Sequence, residues 1–549
     1  MTTQQIERIE VDMDELESIL ERARAVLGEE DHRKLKSAVE TLDFLTHEIE
    51  SKDVSLKRLR GLLFGSPTEK LENVLPDEGK DGSVGTGDEV ADDDDERDVV
   101  DKPKPKGHGR NGADKYEGAE KIEVPHELLK PGDGCPNGGC RGKVYRQKPS
   151  VIVRVRGQAP LHAKVVELER LRCNLCGEVF RAKAPAGIGE RKYDETAASM
   201  IALLKYGSGL PFNRLEGLEG NLGIPLPAAT QWDIVSGAAR VIWSAYGELL
   251  HQAAQGDVFH NDDTTARILA LMGKRREKTL AAMEVDALSE RTGIFTSGIV
   301  SLSAELRIAL FFTGRKHAGE NLERVLAERN AECALPIQMC DALSRNVCGD
   351  FETILANCNA HARRQFVDVS ENFPEECRHV LETLAEVYKN DADAKELKLS
   401  PEERLALHRE SSRPLMVKLL LWFREKFAQK RIEPNSTLAG AIAYMKKHWL
   451  KLTLFYREAG APLDNSIVER ALKKAILHRK NAMFFKTENG ARVADLFMSL
   501  IYTAKLSGAN PFDYLSELQR HSSELSENPA EWMPWNYRKT LTRLAQEHS

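Results

Sequence analysis

The stretch DVFHNDDTTARILALM, residues 257–272, contains an apolar run that leads directly into two carboxylates. Two further runs follow it, RTGIFTSGIVSLS at 291–303 and ELRIALFFTG at 305–314, both rich in the β-branched and aromatic residues that favour strands. Helix and strand patterns then alternate through GENLERVLAERN (319–330), PIQMCDAL (336–343) and TILANCNAHARRQFVDV (353–369). The order predicts an α/β unit with three successive strands first and βα units after them.

Three acidic residues that are distant in sequence are candidates for one catalytic site. Asp262 follows the first apolar run, Asp341 closes the strand in PIQMCDAL, and Glu469 lies in a later helix. In a ribonuclease-H-like sheet the first and fourth strands are neighbours and a later helix packs across them, so these carboxylates would meet. Three such groups can hold two Mg²⁺ (or Mn²⁺) ions roughly 4 Å apart for in-line phosphoryl transfer.

Each acid also has a purely structural interpretation. Asp262 and Asp341 could cap a helix or a turn, and Glu469 could pair with Lys473 one helical turn later. Asp263 is an alternative to Asp262 as the first acid. The combined order of strands, second Asp, helical block and Glu favours the catalytic interpretation.

The helix that carries Glu469, LDNSIVERALKKAILHRKNAMFF at 463–485, is strongly basic. Cations of this kind neutralise phosphates, so we expect DNA-backbone contacts from Arg470, His478, Arg479 and Lys480. A second basic group follows the fifth strand, and we expect it to contact a phosphate or to support a metal ligand: His361, Arg363 and Arg364. Cys358 has zinc-ligand spacing to His361, but without a partner pair it is interpreted as structural.

The length and charge of the chain limit its domain organisation and the class of its partners. A chain of 549 residues is expected to form several domains. Its net charge is −7, which taken alone would argue against a nucleic-acid partner. The acidic and basic residues are segregated along the sequence, however, so the total charge does not exclude such a partner. The N-terminus has no apolar core of a signal peptide, and no run suits a membrane span, so we expect a soluble, cytoplasmic protein without a membrane partner.

The N-terminal third predicts three separate modules. Residues 1–75 read as helix, with a heptad seam from Leu35 to Leu63 that predicts a coiled coil for self-association. Residues 76–118 form an acidic and then basic linker, expected to be disordered. Its basic half could lie in a narrow minor groove or serve as an ordinary charged linker, and the candidates for DNA contact are Lys104, Lys106 and Arg110.

Residues 119–190 predict a small β domain of the zinc-ribbon type. Two close cysteine pairs flank a strand-rich span, as a tetrahedral Zn²⁺ site requires. The candidate ligands of this structural zinc are Cys135, Cys140, Cys173 and Cys176.

The rest of the chain completes a multidomain α+β fold. Residues 191–256 read as a helical, helix-turn-helix-like DNA-binding segment or as a plain connector, with a helix opening at Pro227–Thr230. The remaining predicted parts are the first part of the ribonuclease-H-like core at 257–369, an all-helical insertion at 370–460, the second part of the core at 461–520 and a C-terminal tail at 521–549.

Several blocks together resemble the insertion sequence 66 family of bacterial transposases, of the broad DDE class. The similar blocks are LRGLLFGSPTEKL (59–71), LKYGSGLPFNRLEGLEGNLGIPLPAATQWD (204–233), DDT (262–264), CNAHARRQF (358–366), DNSIVERALKKAILHRKNAMFF (464–485) and SLIYTAKLSGANPFDYLSEL (499–518). The family's catalytic triad falls on Asp262, Asp341 and Glu469. The sequence departs from the common family pattern at Asp263, Asn359, and Ala342 with Leu343.

The resemblance implies an enzyme that binds terminal inverted repeats, cleaves DNA with divalent metal ions and joins the 3′-OH to target DNA. It also implies a homodimer or higher oligomer through the coiled coil, accessory proteins of the same element, and association with the nucleoid. Two alternatives stay open: a structure-specific nuclease with the same core, and a zinc-ribbon DNA-binding regulator with an inactive core.

Overall fold

A computed structural model of the chain describes residues 191–276 and 291–547 without a gap. It also describes short stretches before them, of which 160–172 is the longest. Contacts divide the chain into two units, and nearly all described residues belong to the unit that contains Leu161–Ser549. The fold and the site below are those of this unit.

Some predicted features lie outside the described residues. They are the linker with Lys104, Lys106 and Arg110, the zinc ligands Cys135, Cys140, Cys173 and Cys176, and the coiled coil apart from isolated helical positions between Ile19 and Lys36. These features stay predictions.

Two sheets are present in the described part of the chain. A short antiparallel pair is formed by β1 (Arg170–Arg172) and β2 (Val179–Arg181). The larger, five-stranded sheet consists of β3 (Val258–Thr265), β4 (Phe295–Leu302), β5 (Arg307–Gly314), β6 (Ile337–Cys340) and β7 (Ile354–Asn357). Its strand order is β5-β4-β3-β6-β7. The prediction that the first and fourth of these strands are neighbours is confirmed.

The sheet is mixed. Strands β3, β4 and β5 form an antiparallel meander, whereas β6 and β7 run parallel to β3. Six of the eight residues of β4 and five of the eight of β5 are buried, because helices pack on both faces, and this explains why apolar residues are not confined to alternate positions. Thus β3 lies at the centre, where the antiparallel and parallel halves of the sheet meet.

Sixteen α-helices are described. In chain order they are α1 (Glu195–Ala202), α2 (Phe212–Asn221), α3 (Ala228–Val241), α4 (Trp243–Ala254), α5 (Ala318–Leu326), α6 (Asn359–Val369), α7 (Pro374–Glu396), α8 (Pro401–Leu407), α9 (Arg413–Ala428), α10 (Thr437–Lys447), α11 (Trp449–Leu452), α12 (Ser466–Ala482), α13 (Glu488–Leu506), α14 (Pro511–Arg520), α15 (Ser522–Glu527) and α16 (Tyr537–Glu547). Helix α3 starts after Pro227, where the sequence predicts a helix start. No helix in the described part of the chain is both long and apolar enough to cross a bilayer.

Two hydrophobic cores organise these helices. One packs α1–α4, α12 and α13 against β4 and β5 and includes Val235, Phe311 and Leu500. The other lies within the helical block α6–α11 and includes Phe366 and Phe423, whose rings are stacked 6.1 Å apart. The helical block between β7 and α12 therefore has a core of its own.

Helix α13 covers the outer edge of the sheet with polar side chains. Its residues 495, 499 and 503 are spaced by about 6 Å along the helix, which matches every second residue of a strand. The contacts are Asp495 Oδ2 with the Thr313 N–H at 2.7 Å, Ser499 Oγ with the Phe311 N–H at 3.0 Å, and Thr503 Oγ1 with the Ala309 N–H at 3.0 Å. The free edge of β5 is thereby satisfied by side chains instead of another strand.

Replacing one of these side chains should destabilise the protein, because it leaves a backbone N–H at the edge of β5 without a hydrogen-bond acceptor. Ser499→Ala leaves the buried Phe311 N–H without its acceptor, so we expect the free energy of unfolding to fall by about 1–3 kcal/mol. Chemical denaturation monitored by circular dichroism measures this loss. Ser523→Ala, at an exposed position of α15, is the matched control and should change stability by less than about 0.5 kcal/mol. Equal effects of the two substitutions would contradict the role of the helix.

Candidate active site

Two carboxylates are brought together by the parallel pairing of β3 with β6. In this register Val258 is opposite Ile337, and Asp262 and Asp341 each lie four residues further along their strands. Asp341 is the first residue after β6 and is buried. The register alone therefore sets the two acids side by side at the same end of the sheet.

The buried amide of Asn346 bridges these two acids. Its Nδ2 donates to Asp341 Oδ1 at 2.7 Å and to Asp262 Oδ1 at 3.2 Å. The two carboxylate oxygens can therefore lie no further apart than 5.9 Å, the sum of these two distances. The Asn346 backbone carbonyl accepts from Asn261 Nδ2 at 2.6 Å and from Gln338 Nε2 at 2.8 Å. Side chains of both strands thus fix the amide that bridges the acids.

Helix α12 brings Glu469 to the same region. Gly298 of β4 is paired with Asp262, and a Cβ there would lie 3.0 Å from the Leu472 side chain and 3.2 Å from that of Val468. The absence of a side chain at Gly298 lets α12 pack closely on the strand next to Asp262. Glu469 directly follows Val468 in the first turn of α12, so this close packing holds it near the strand pair that contains Asp262.

The start of α12 is anchored by Asn465, which is fully buried. Its Nδ2 donates to the Asn261 carbonyl at 3.0 Å, and its Oδ1 lies 3.1 Å from His260 Nδ1. Its backbone N–H donates to Cys358 Sγ, 3.2 Å away. One asparagine therefore ties the helix that carries Glu469 both to β3 and to the end of β7.

The pKa of Asp262 is affected by its burial and by the neighbouring carboxylates. Burial raises its pKa to about 7, and the charges of Asp341, Asp263 and Glu469 act in the same direction. A hydrogen bond from the Asp263 N–H, at 2.8 Å, lowers the pKa but does not cancel these effects. Several carboxylates close together in a poorly solvated place repel one another unless a cation compensates them.

The donor set suits a hard divalent cation. Asp262, Asp341 and Glu469 offer carboxylate oxygens, the ligands that Mg²⁺ and Mn²⁺ prefer. The raised pKa of Asp262 is also consistent with a cation at this position, because a bound cation would stabilise the ionised carboxylate and lower this pKa. These three residues could therefore hold divalent ions.

Asp263 lies on the other face of β3 and has different partners. Its side chain is 1% exposed, with Oδ2 2.8 Å from His317 Nδ1 and Oδ1 3.4 Å from the Arg345 guanidinium. Arg345 also lies over the Phe295 ring, at 5.8 Å from its centre. Both carboxylate oxygens of Asp263 thus have side-chain partners, His317 and Arg345.

His361 stands beside Glu469. Its Nδ1 lies 3.8 Å from Glu469 Oε1. Arg363 and Arg364 follow on the same helix α6, and Arg364 is exposed while Arg363 is half-buried. The expected grouping of His361 near the acids is therefore present in the geometry.

The basic residues of α12 divide into exposed and structural groups. Arg470 and Lys480 are exposed, whereas Arg479 donates to Thr264 Oγ1 at 3.0 Å and to the Thr265 carbonyl at 2.6 Å. Arg479 therefore links the far end of α12 to the end of β3.

His478 lies in the core instead of on the basic surface. It is 3% exposed and stacks on Phe485, with ring centres 4.6 Å apart. Burial, with the charge of Lys205, lowers its pKa to about 3. A DNA contact by His478 would require this side chain to leave the core, which the stacking on Phe485 opposes. Helical periodicity could have predicted the burial of His478, because it lies on the same helix face as Val468, Leu472 and Ala475, which are all buried.

The structure also indicates residues that the sequence interpretation missed. Asn346, Asn465 and Gly298 hold the acids in place, but an isolated Asn or Gly carries no distinctive sequence signal. A basic cavity at the end of β5 was missed as well, and its lining includes Trp243, Arg315, Lys316, Arg324 and Arg492. The run Gly314-Arg315-Lys316 directly after a strand is the pattern that could have indicated it.

Comparison with known families assigns this architecture. The family model described as Transposase IS66 family matches residues 191–493, more than half of the chain. The chain belongs to this family. Asp262, Asp341 and Glu469 all lie within the matched residues. Membership gives the chain a transposase role, which implies a DNA substrate and the use of divalent metal ions.

Similar proteins in Sinorhizobium fredii share most of its length. The uncharacterized protein y4jD is 27% identical over 536 residues, which cover 92% of this chain and 98% of that relative. The uncharacterized protein y4hP is 24% identical over 447 residues, 76% of each chain. The similarity to y4jD extends beyond the family match to almost the whole IS66-type chain.

The raised pKa of Asp262 predicts how stability depends on pH without metal. Because the folded protein holds the Asp262 proton up to about pH 7 and the unfolded chain releases it near pH 4, stability falls as pH rises through this window. The loss is at most about 4 kcal/mol. In EDTA, we expect Asp262→Asn to lack this pH-dependent loss of stability. The free energy of unfolding of the variant relative to the wild type should therefore increase from pH 4 to pH 8.

Thermal unfolding at several pH values measures this difference. Asp495, whose pKa burial also raises to about 7, acts equally in both proteins and cancels in the comparison. Asp393→Asn, at an exposed position of α7, should follow the wild-type curve. Parallel pH curves for the wild type and Asp262→Asn would rule out the predicted repulsion.

Proposed function

We propose that this transposase is a divalent-metal-dependent DNA strand transferase whose catalytic acids are Asp262, Asp341 and Glu469. The observation that carries the proposal is the contact of one buried amide, that of Asn346, with both Asp262 and Asp341. The charge of Glu469, which acts to raise the pKa of Asp262, supports Glu469 as the third acid. The strand order β5-β4-β3-β6-β7 supports assigning the sheet to the ribonuclease-H-like type.

The acids have one role in the reaction, which is to hold two Mg²⁺ or Mn²⁺ ions at the strand ends. When bound, such ions activate a water or a 3′-OH and stabilise the leaving oxygen of an in-line displacement. Asn346 keeps Asp262 and Asp341 close together, and Asn465 holds the start of α12 against β3. Water first releases the 3′-OH at the element end, and this hydroxyl then attacks the target phosphodiester.

Asp262 is the better candidate for the first acid than Asp263. Asp262 shares Asn346 with Asp341, whereas both oxygens of Asp263 face His317 and Arg345. A carboxylate already held in an ion cluster is a poor ligand for a catalytic ion. We therefore assign Asp263 a structural role in positioning β3.

Exposed cations around the acids would contact the DNA backbone. Arg364, Arg470 and Lys480 are exposed on the two helices that carry His361 and Glu469, and phosphate neutralisation by such residues makes binding salt-dependent. We assign Arg363 and His361 to the same surface, with His361 close enough to orient Glu469. Arg479 contributes indirectly by fixing α12 to β3.

The remaining parts of the chain complete the proposed transposase. The zinc ribbon, the basic linker with Lys104, Lys106 and Arg110, and the helical segment at 191–256 would bind the terminal inverted repeats. The coiled coil at 1–75 would join copies into a dimer or higher oligomer. Accessory proteins of the same element and association with the nucleoid would be compatible with this role.

A strand-transfer assay tests the proposal. Pre-cleaved element ends with a free 3′-OH are incubated with target plasmid and Mg²⁺, and joined product is quantified on a gel. We expect Asp341→Asn and Glu469→Gln each to reduce joining at least about 100-fold, because each removes a metal ligand, while end binding stays nearly intact. Asp262→Asn should have the same effect as these two, and Asp263→Asn a smaller one.

Matched controls come from the helical block. Asp393→Asn and Glu396→Gln make the same chemical changes at exposed positions of α7 and should retain joining. Hydrolysis without any joined product would support a nuclease with the same core. Lost binding with preserved cleavage in the Asp341 and Glu469 variants would contradict the assignment of the acids.

A further inference from the structure

Three metal-ligating side chains converge beside the carboxylate triad. Cys358 Sγ, a ring nitrogen of His361 and a carboxylate oxygen of Glu469 all lie within 4.8 Å of one another. They come from two places in the fold: the junction of β7 with α6, and the first turn of α12. Among the residues that the structure describes, this is the one such group of three or more ligating side chains.

Two backbone N–H groups are directed at the sulfur of Cys358. The Asn465 N–H donates to it across 3.2 Å, and the His361 N–H, three residues after the cysteine, donates to it as well. Burial raises the pKa of the Cys358 thiol to about 12, and the two N–H donors oppose this only in part, so the sulfur needs a bound cation to lose its proton. An apolar packing role for Cys358 would not need two such donors directed at its sulfur.

The imidazole of His361 provides an independent observation. Its Nδ1 atom is buried yet has no hydrogen-bond partner, although Glu469 Oε1 is 3.8 Å away. A buried polar atom without a partner costs free energy. A metal ion between these two atoms would supply the missing interaction. His361 and Glu469 are 28% and 36% exposed, so an ion can reach the group from solvent.

The separations suit a tetrahedral ion after a small adjustment. Ligands of Zn²⁺ at bond lengths of roughly 2.0–2.3 Å are about 3.5 Å apart in tetrahedral geometry. The His361–Glu469 separation of 3.8 Å is near this value, and rotation of side chains could close the longer separations. A sulfur, a nitrogen and one carboxylate oxygen favour Zn²⁺ or another borderline ion over Mg²⁺.

We propose that Cys358, His361 and Glu469 form a binding site for a thiophilic divalent ion such as Zn²⁺, with a fourth coordination position open to water. Binding replaces the thiol proton, which is released to solvent, by a metal–sulfur bond without any change of oxidation state. The binding itself does not depend on the proposed strand transfer. The consequence of binding rests on the proposed strand transfer. An ion on Glu469 Oε1 fixes this carboxylate and leaves its second oxygen for one of the proposed Mg²⁺ ions.

Cobalt binding to the full-length chain tests the site. Co²⁺ is titrated into the wild type and the variants Cys358→Ser and His361→Gln, and the thiolate-to-cobalt charge-transfer absorption is recorded together with the number of ions bound. We expect the wild type to bind one ion more than Cys358→Ser, with a charge-transfer absorption that exceeds that of this variant by the contribution of one cobalt–thiolate bond. His361→Gln should weaken this extra ion at least about 10-fold.

Controls separate this site from the other metal sites. Cys333→Ser removes a half-buried thiol elsewhere and should bind as the wild type does, and any predicted zinc-ribbon ions contribute equally to all variants. Asp341→Asn, which lacks a proposed Mg²⁺ ligand but none of these three, should keep the extra ion. The band should also persist in a large excess of Mg²⁺.

The outcomes distinguish the two proposals. A cobalt band that depends on Cys358 and His361 in a protein without strand-transfer activity would support the ion site and overturn the proposed reaction. Equal ion numbers and equal bands in the wild type, Cys358→Ser and His361→Gln would overturn the site. If Cys358→Ser lacks a thermal unfolding transition, His361→Gln decides, because its side chain is partly exposed.

Discussion

The parallel pairing of β3 with β6 is the constraint on which the rest of the site depends. It takes two acids that are 79 residues apart in sequence and sets them side by side at the strand ends, where the chain must then tolerate their mutual repulsion. Asn346 reduces this repulsion by donating to both carboxylates. The packing of α12 on β4 at Gly298 adds to it, because it brings Glu469 to the same region. The fold thus accepts a local electrostatic cost at the position where a cation can be held.

The predictable part of this architecture is the part that periodicity encodes. The strands β4 and β5 are visible as apolar runs because most of their residues are buried, and the acids at the ends of β3 and β6 are candidates through their combined order along the chain, since each alone could be a turn residue. The alternating pattern of the strand does not decide between Asp262 and Asp263 as the first acid, although neighbouring residues face opposite sides of a sheet. The ion cluster of Asp263 agrees with that rule.

The unpredictable part consists of contacts between residues far apart in sequence. Asn465 bonds to the carbonyl of Asn261 across 204 residues, and no local pattern distinguishes a buried anchoring asparagine from a helix cap. Composition also misleads on α12, where the positive charges suggest a uniform DNA-binding surface. The helix packs one face on the sheet, so His478 is buried among aromatic rings and Arg479 bonds to β3, while Arg470 and Lys480 remain at the surface.

The polar face of α13 also has a consequence for biosynthesis. The residues that satisfy the β5 edge lie 182 to 194 residues after it, and at a ribosomal speed of about 5–20 residues per second this is roughly 10–40 s of translation. Throughout that interval the nascent sheet has an unpaired edge strand, which is a template for pairing with a neighbouring nascent chain. A transcript truncated before codon 495 would yield a protein that never closes this edge.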